Sequence, residues 1–250
     1  MSVHTVSSLQ IYPLKSGGPL HCQRAEVQAT GLQYDRHWAL FDAQNRLLTG
    51  RAYPQLLELE PEIQGQYLYV HHRAKARTVQ LPLTFSGAKV SDLQFFSRQV
   101  AGVRMNTAIN DWFSDYLGFP CQLFFMNEQV SRPVLAKHGG QPGDVVSFAD
   151  QSPLLLLSTA SIADLNTRLD QSVHFQNFRP NIVVEGAQAY EEDQWRRIQI
   201  GSVEFEVNQR CQRCVFINID PFTKIKHKEP LKTLATYRTD ASGQVIFGVH

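Results

Sequence analysis

Apolar and polar residues alternate between positions 198 and 207, which is the pattern of two half-buried β-strands. Gly201-Ser202 separates the two runs, and a glycine in a two-residue turn supplies the positive φ that a tight hairpin needs. The apolar positions of the runs are Ile198, Ile200, Val203, Phe205 and Val207. The pattern therefore predicts a β-hairpin whose second strand leads into the segment Cys211-Gln212-Arg213-Cys214.

Short runs rich in β-formers, separated by turn residues, fill the chain up to about Gly87. These runs are Val6–Tyr12, Arg24–Ala29, Trp38–Asp42, Leu56–Gln64, Tyr67–His71 and Thr78–Pro82. Many short strands with regular turns are typical of small barrels and sandwiches. We therefore predict a β-barrel-like N-terminal domain over residues 1–87.

The hydrophobic period changes to that of a helix between Asn106 and Leu117, where apolar residues fall on one face and Gly118 ends the pattern. Farther along, Leu154–Leu157 resembles a buried strand, and a helix is predicted from Ser158 to Leu169, with Ser161 and Asp164 in capping-box spacing. We expect a second domain over residues 88–250 with a helical insert near 106–117. Together the patterns predict a mixed, β-rich α+β fold, in which a small β-barrel or sandwich is followed by a second half of mixed strands and helices.

Composition narrows the class of protein. The 250 residues are 43% hydrophobic and 19% charged, with a formal net charge of +1, and they contain no Lys/Arg-rich run of the kind that binds nucleic acid. No apolar stretch approaches the roughly 20 residues of a membrane-spanning helix, and residues 1–10 lack the features of a signal peptide. Four cysteines in a chain of this length do not make a disulfide scaffold, so a cytoplasmic protein is expected.

The pair Cys211 and Cys214 is open to several interpretations. Free cysteines are often buried in apolar cores, but the polar neighbours Gln212 and Arg213 do not fit that environment. A zinc site normally has four ligands, and a thioredoxin-type pair begins a helix, whereas Val215–Ile219 has the pattern of a further strand. The remaining interpretation is a single thiolate that binds a soft transition metal, activated by the adjacent guanidinium of Arg213.

Anion-binding candidates are spread along the chain. The predicted helix start at Ser158-Thr159-Ala160-Ser161 offers free N–H groups and hydroxyls, although most helices carry such a cap without binding a ligand. Arg179 follows Phe178 in a Phe-Arg-Pro-Asn segment, Lys15 lies in a Gly-rich turn, and Arg36 follows Asp35. Each of these cations is compatible with a bound phosphate, but on the local motif alone a structural ion pair is the more common role, and the Asp35-Arg36 pair is expected to be structural in part.

The order of these motifs resembles that of MOSC (molybdenum cofactor sulfurase C-terminal) proteins with an N-terminal β-barrel domain. In the first half the motifs are Tyr12-Pro13-Leu14-Lys15-Ser16, Gly31–Trp38, Leu48-Thr49-Gly50-Arg51 and Pro54. In the second half they are Leu156–Ser161, Phe178–Val184, Glu191–Trp195, Ile200-Gly201, Cys211–Cys214 and Asp220-Pro221. Several spaced motifs in the family order are far more specific than a single Cys-x-x-Cys. The resemblance implies an N-terminal β-barrel-like domain packed with a MOSC β-barrel domain that carries a few helices.

The resemblance implies a molybdenum–pterin cofactor bound through Cys214, with Cys211 supporting the loop that presents it. The residues that it implies for holding the pterin and its phosphate are Lys15, Ser16, Arg36, Thr159, Ser161, Arg179, Asn181 and Arg213. The implied activity is that of the group that includes the amidoxime-reducing components and their YcbX-type bacterial relatives, namely reduction of N-hydroxylated compounds. Electrons would come from an external flavin reductase or iron–sulfur donor. The alternative is a non-catalytic carrier in which Cys214 holds a persulfide or passes on the pterin.

Two features differ from the family pattern. The family usually has paired threonines between the cysteine and Asp-Pro, where this chain has Ile217-Asn218. The family also continues through further strands after the segment that matches Phe247–His250, and some members add a plant-type iron–sulfur domain. Two expectations follow for residues 88–250: a MOSC domain truncated at its C-terminus, or one that closes differently. The Cys-x₄-Cys-x₂-Cys spacing of such an iron–sulfur domain does not occur in this sequence, which favours a separate electron donor.

Overall fold

Strands from both ends of the sequence share the largest sheet of this protein. The computed structural model describes residues 3–85, 90–127, 130 and 132–250. Its strands are β1 (Thr5–Ile11), β2 (Leu20–Cys22), β3 (Val27–Gln28), β4 (Gly31–Leu32), β5 (Trp38–Asp42), β6 (Glu60–Gln64), β7 (Tyr67–His72), β8 (Arg77–Pro82), β9 (Val90–Phe95), β10 (Arg98–Arg104), β11 (Cys121–Phe125), β12 (Leu156–Ser158), β13 (Ile182–Glu185), β14 (Arg197–Ile200), β15 (Val203–Glu206), β16 (Arg210–Gln212) and β17 (Ile246–Val249). Its α-helices are α1 (Thr107–Leu117), α2 (Thr159–Asn166) and α3 (Leu231–Ala235). The mixed, strand-rich α+β class is confirmed.

The six-stranded sheet has the order β16-β17-β12-β13-β1-β2. Strand β12 runs parallel to β13, and β1 pairs antiparallel with β13 through the register Leu9↔Ile182. This register places Leu9 against a buried apolar cluster that includes Leu156, Ile182 and Val249. The N-terminal strand is thereby held next to the segment that carries Arg179 and Asn181.

A four-stranded sheet, β5-β11-β10-β9, and a three-stranded sheet, β6-β7-β8, enclose the main core of the first half. Trp38 and Leu40 of β5 are fully buried there against Phe125 and Phe113. Strand β5 pairs with β11, so this sheet also draws strands from both sides of the predicted domain boundary. The boundary itself, at 87/88, lies outside the described residues and stays a prediction, as does barrel closure, because each described sheet has an open strand order.

The predicted hairpin and the first helix are confirmed. Strands β14 and β15 pair around Gly201, whose φ is +60°. Helix α1 begins after Asn106, whose Oδ1 accepts a hydrogen bond from the N–H of Ile109 at 3.0 Å, and it ends at Gly118 with φ +80°. Both ends follow ordinary capping chemistry.

Three local predictions were wrong. Helix α2 is capped by Ser158, not Ser161, because the extended backbone of Ser158 brings its hydroxyl to the N–H of Ser161, and the helix ends at Asn166. Val215–Asn218 forms a 3-10 turn instead of a strand. The predicted strand Leu56–Gln64 begins as a 3-10 turn, Pro54–Glu58, in which the proline takes the first position that tolerates it.

No helix in the described part of the chain is long and apolar enough to cross a membrane.

Candidate functional site

A cavity of about 480 Å³ lies where the two halves of the chain meet. It gathers seven of the nine residues that the sequence assigned to a site, although their motifs are up to about 200 positions apart. These seven are Lys15, Ser16, Arg36, Arg179, Asn181, Arg213 and Cys214. We call this space the central cavity.

Thr159 and Ser161 do not line the central cavity. Thr159 is exposed, and Ser161 is fully buried in a polar cluster of its own. The hydroxyl of Ser161 donates to Glu192 Oε1 at 2.7 Å and accepts from the N–H of Tyr190. The hydroxyl of Ser161 is therefore engaged in hydrogen bonds within the protein. The start of helix α2, which the sequence suggested as an anion-binding site, has a structural role at this position.

Lys15 and Ser16 enter the cavity from the turn after β1. The buried ammonium of Lys15 donates to the carbonyl of Phe148 at 2.7 Å and pairs with Asp150. Burial lowers the pKa of Lys15 to about 8, although Asp150 opposes that shift. Ser16 has a left-handed backbone, with φ +66°, and its oxygen accepts from the N–H of Gly50 at 2.9 Å.

Arg36 and Asn181 tie the two halves of the chain together. One Arg36 nitrogen pairs with Asp35 and also donates to Asn181 Oδ1 at 3.0 Å, while another donates to the carbonyl of Arg179 at 3.1 Å. Asn181, which is 1% exposed, also donates to the carbonyl of Gln10. These contacts fix both side chains in the cavity wall.

Arg179 and Arg213 each have one side-chain nitrogen that forms no hydrogen bond with the described residues. Arg179 donates from Nη1 to the carbonyl of Gly17 at 2.7 Å, and Arg213 donates from Nε and Nη1 to the carbonyls of Phe247 and Phe178. The Nη2 atom of each is buried and has no hydrogen-bond partner among the described residues. Burial lowers the pKa of Arg179 to about 10, which leaves it charged at neutral pH. A buried N–H without a partner is costly, so these two atoms indicate room for an acceptor.

The two cysteines of the Cys-x-x-Cys segment lie in opposite environments. Cys211 is buried in β16, and although burial raises its pKa, the charge of Arg213 holds the pKa below its ordinary value. Cys214 is an exposed free thiol that begins the 3-10 turn. Its position between strand and turn presents the sulfur at the cavity mouth.

Arg51 is a cavity residue to which the sequence analysis gave no role. Its Nη1 atom lies 3.9 Å from Sγ of Cys214. The preceding Gly50 packs so closely that a Cβ there would lie 2.6 Å from the ring of Phe216, which explains the glycine. The sequence did contain a signal for Arg51 as a site residue, because it is the cation of the Leu48–Arg51 motif.

The lining is strongly basic: among the described residues it contains eight Lys or Arg side chains and a single carboxylate, that of Asp150. No cluster of three or more His, Cys, Asp or Glu side chains in the described segments has the spacing of a metal site. The arrangement combines a soft thiol with a cationic pocket, which suits an anionic ligand that also carries a soft metal.

Comparison with known families identifies the class of protein. Residues 3–120 match the family model described as the MOSC N-terminal beta barrel domain, and residues 143–250 match the MOSC domain. The chain therefore belongs to the MOSC-domain proteins that carry this N-terminal domain, and the resemblance drawn from the motifs is confirmed.

Individual relatives extend the match over nearly the whole chain. Mitochondrial amidoxime-reducing component 1 of Danio rerio is 33% identical over 245 residues, which are 94% of this chain and 75% of that protein. The human protein of the same name is 34% identical, covering 98% of this chain and 76% of that protein. Molybdenum cofactor sulfurase of Oryza sativa subsp. japonica is 30% identical over 98% of this chain and 32% of that protein. The family is thus one associated with the molybdenum cofactor.

Proposed function

We propose that this protein binds a molybdenum–pterin cofactor in the central cavity and reduces N-hydroxylated compounds with electrons from an external donor. The observation that carries the proposal is the pair of unpartnered, buried Nη2 atoms of Arg179 and Arg213 beside the free thiol of Cys214. A phosphate supplies the acceptors that the guanidinium groups lack, and a thiolate is a suitable ligand for a soft metal.

Each cavity residue has a distinct part in this proposal. Cys214 would bind the metal, and Arg179 and Arg213 would hold the phosphate. Lys15 and Ser16 would add a cation and a hydroxyl proton from the adjoining wall, since Arg179 itself donates to the carbonyl of Gly17. Arg36 and Asn181 would keep that wall in place, because their own donors and acceptors are already bonded to the protein.

When bound, the cofactor supplies two-electron redox chemistry, and the protein supplies binding and orientation. The overall reaction consumes two electrons and two protons for each N–O bond that is broken, so that R–NH–OH yields R–NH₂ and water. The guanidinium of Arg51, 3.9 Å from Cys214 Sγ, is placed to orient the hydroxyl oxygen of a substrate by donating a hydrogen bond to it. The relatives named amidoxime-reducing components support this class of substrate. The donor would be a flavin reductase or an iron–sulfur protein, and the location would be cytoplasmic.

The first test is molybdenum per chain, measured by elemental analysis after expression in a host that makes the pterin cofactor. We expect the wild type to approach one metal per chain and Cys214→Ser to lose about tenfold or more. Cys22→Ser is the matched control, because Cys22 lies in β2 and does not line the cavity. Full metal content and full reductase activity in Cys214→Ser would refute the assignment of the ligand.

The reaction is tested separately with the metal-loaded protein. Reduced methyl viologen and a panel of hydroxylamines and amidoximes should give turnover that Cys214→Ser lacks. A protein that holds molybdenum but turns over none of these compounds would show that the reaction is a different one.

A second candidate is the sulfur or cofactor carrier. It is favoured by the exposure of the Cys214 thiol and by the relative named molybdenum cofactor sulfurase. Sulfur released from Cys214 by dithiothreitol, in protein that contains no molybdenum and shows no reductase activity, would support the carrier instead.

A further inference from the structure

A second concave surface lies directly outside the loop that presents Cys214. It is lined by Val215, Lys226, Lys228, Leu231 and Lys232, and it shares Arg51 with the central cavity. Val215 is the residue next to Cys214 in the chain. We call this surface the lysine groove. Because Arg51 lies between the two spaces, the groove and the proposed metal ligand are separated by little more than one side chain.

The cations of the lysine groove are not neutralised by neighbouring carboxylates. Lys226 donates to the backbone carbonyl of Arg51 at 2.9 Å. Lys228 and Lys232 are exposed, and neither forms an ion pair within the described ranges. Uncompensated lysines beside one another create a positive potential that reaches into solvent.

The two carboxylates of this segment are used elsewhere. Asp220 accepts from the backbone N–H groups of Phe222 and Thr223, at 2.8 and 2.7 Å. Glu229 accepts from the N–H of Thr233 at 2.9 Å. Neither carboxylate lines the groove, and within the described ranges neither forms an ion pair with its lysines, so the positive charge of the lining stays available to a partner.

Apolar side chains are exposed in the same segment. Val215 is 58% exposed, Phe222 is 63% exposed and Ile225 is 56% exposed. Val215 lines the groove, and Phe222 and Ile225 belong to the chain segment between Val215 and Lys226. Exposed apolar patches rimmed by polar residues mark surfaces that bind another protein. A purely electrostatic surface would not require them.

We propose that the lysine groove is the docking site of a small acidic electron-transfer protein of the iron–sulfur type. This inference rests on the proposed function, which requires an external donor. Electron transfer weakens steeply with distance, so a donor must dock close to the metal, and the groove is a basic surface that includes Val215, the residue next to Cys214. Two one-electron transfers from two donor molecules, with two protons from water, balance the cleavage of one N–O bond and the release of its oxygen as water.

The charge pattern also sets the kind of complex. Long-range attraction between a basic groove and an acidic partner raises the association rate and weakens as salt is added. Electron-transfer complexes usually bury small interfaces and dissociate readily. Such a readily dissociating contact suits a donor that must leave after it has delivered each electron.

The test uses the molybdenum-loaded protein and compares two donors for the same substrate, benzamidoxime. One donor is an acidic plant-type two-iron ferredoxin, kept reduced by its flavin reductase, and the other is reduced methyl viologen, which needs no docking site. We expect the double charge reversal Lys228→Glu/Lys232→Glu to lower kcat/KM for ferredoxin about tenfold or more at low ionic strength. The viologen-driven rate should stay within about twofold, since neither lysine lines the central cavity.

Lys75→Glu is the matched control, because Lys75 is an exposed lysine at the remote turn between β7 and β8. It should leave both rates unchanged. Ferredoxin-driven turnover by the wild type should also fall as salt rises to physiological strength, whereas the double variant should show little salt dependence.

Calorimetric titration with oxidised ferredoxin separates a failure of docking from a failure of the reaction, because binding needs no turnover. Viologen inactivity with ferredoxin binding that the double variant weakens would refute the proposed reaction and support the groove. Equal ferredoxin binding by wild type and double variant would overturn the groove whatever the activity. Binding to phosphatidylserine vesicles that the double variant loses, with no change toward ferredoxin, would assign the surface to a membrane and also overturn the proposal.

Discussion

The two sides of the central cavity carry similar side chains but use them differently. On the N-terminal side, the polar groups of Lys15, Ser16 and Arg36 are bonded to Asp150, Gly50 and Asp35. On the C-terminal side, Arg179 and Arg213 each keep an unpartnered nitrogen, and Cys214 keeps a free thiol. The N-terminal side chains are held in the cavity wall by bonds within the protein, whereas the C-terminal side chains have polar atoms that remain available to a ligand.

This difference shows that lining a cavity and binding its contents are separate roles. A side chain whose donors are already satisfied adds charge and shape, and its loss is felt mainly in folding. A side chain with a buried, unsatisfied donor costs stability in the empty protein and regains it when an acceptor arrives. Substitutions on the N-terminal side should therefore be felt mainly in stability, and substitutions on the C-terminal side mainly in ligand binding.

The largest effect on stability is expected for Arg36→Gln. Asp35 is fully buried, and removing its charged partner leaves an uncompensated carboxylate in the core. Breaking a buried pair in this way costs about 3 kcal/mol. Urea unfolding of the cofactor-free protein measures this loss of unfolding free energy.

Arg46→Gln is the control for Arg36→Gln. Arg46 pairs with Asp42 at 2.7 Å, but its side chain is 67% exposed, so the change should cost at most about 1 kcal/mol. Equal losses of unfolding free energy in the two variants would show that the buried Arg36–Asp35 pair stabilises the fold no more than a solvent-exposed ion pair does.

The next effect concerns the ligand side, through Arg179→Gln. Losing a charged hydrogen bond of about 1.5–3 kcal/mol to a phosphate should lower cofactor retention by about tenfold or more. Pterin content, read from the fluorescence of its oxidised form after gel filtration, measures this change. The unfolding free energy of the cofactor-free protein should fall much less than in Arg36→Gln, because Arg179 carries a buried charge without an ion-pair partner among the described residues.

Arg168→Gln is the control on the same half of the chain, since Arg168 pairs with Asp164 on the exposed face of α2. Its pterin content should match that of the wild type. Unchanged pterin in Arg179→Gln would show that the unpartnered nitrogen does not bind the phosphate.

Local chemistry explains which elements could be predicted from the sequence. The hairpin around Gly201 and helix α1 between Asn106 and Gly118 carry their own turn and cap residues, and both were predicted closely. The cap of α2 was misplaced because Ser158 and Ser161 are both acceptable caps, and only the end of β12 decides between them. The turn after Cys214 was missed because Val215–Ile219 is as apolar as a strand.

Contacts between residues far apart in the sequence could not be predicted from local patterns. Lys15 pairs with Asp150, 135 positions away, and β1 pairs with β13, so neither contact leaves a periodic signal in the sequence. Family motifs identified most of the cavity residues because they encode such contacts indirectly. They did not distinguish Ser161, which serves the core, from Arg179, which faces the cavity.

The smallest effect is a pH dependence that arises on the wall side, at Lys15. Its pKa of about 8 lies below the ordinary value of 10.5 because the ammonium is buried. As pH rises through 8 the cavity loses a cation, so cofactor retention should fall a few-fold between about pH 7 and 9. Between about pH 8 and 10.5 the empty protein should gain stability, since in that range the unfolded chain binds the proton more tightly than the folded chain. Lys15→Met should abolish both trends, and an unchanged pH profile of pterin content in that variant would show that another group controls it.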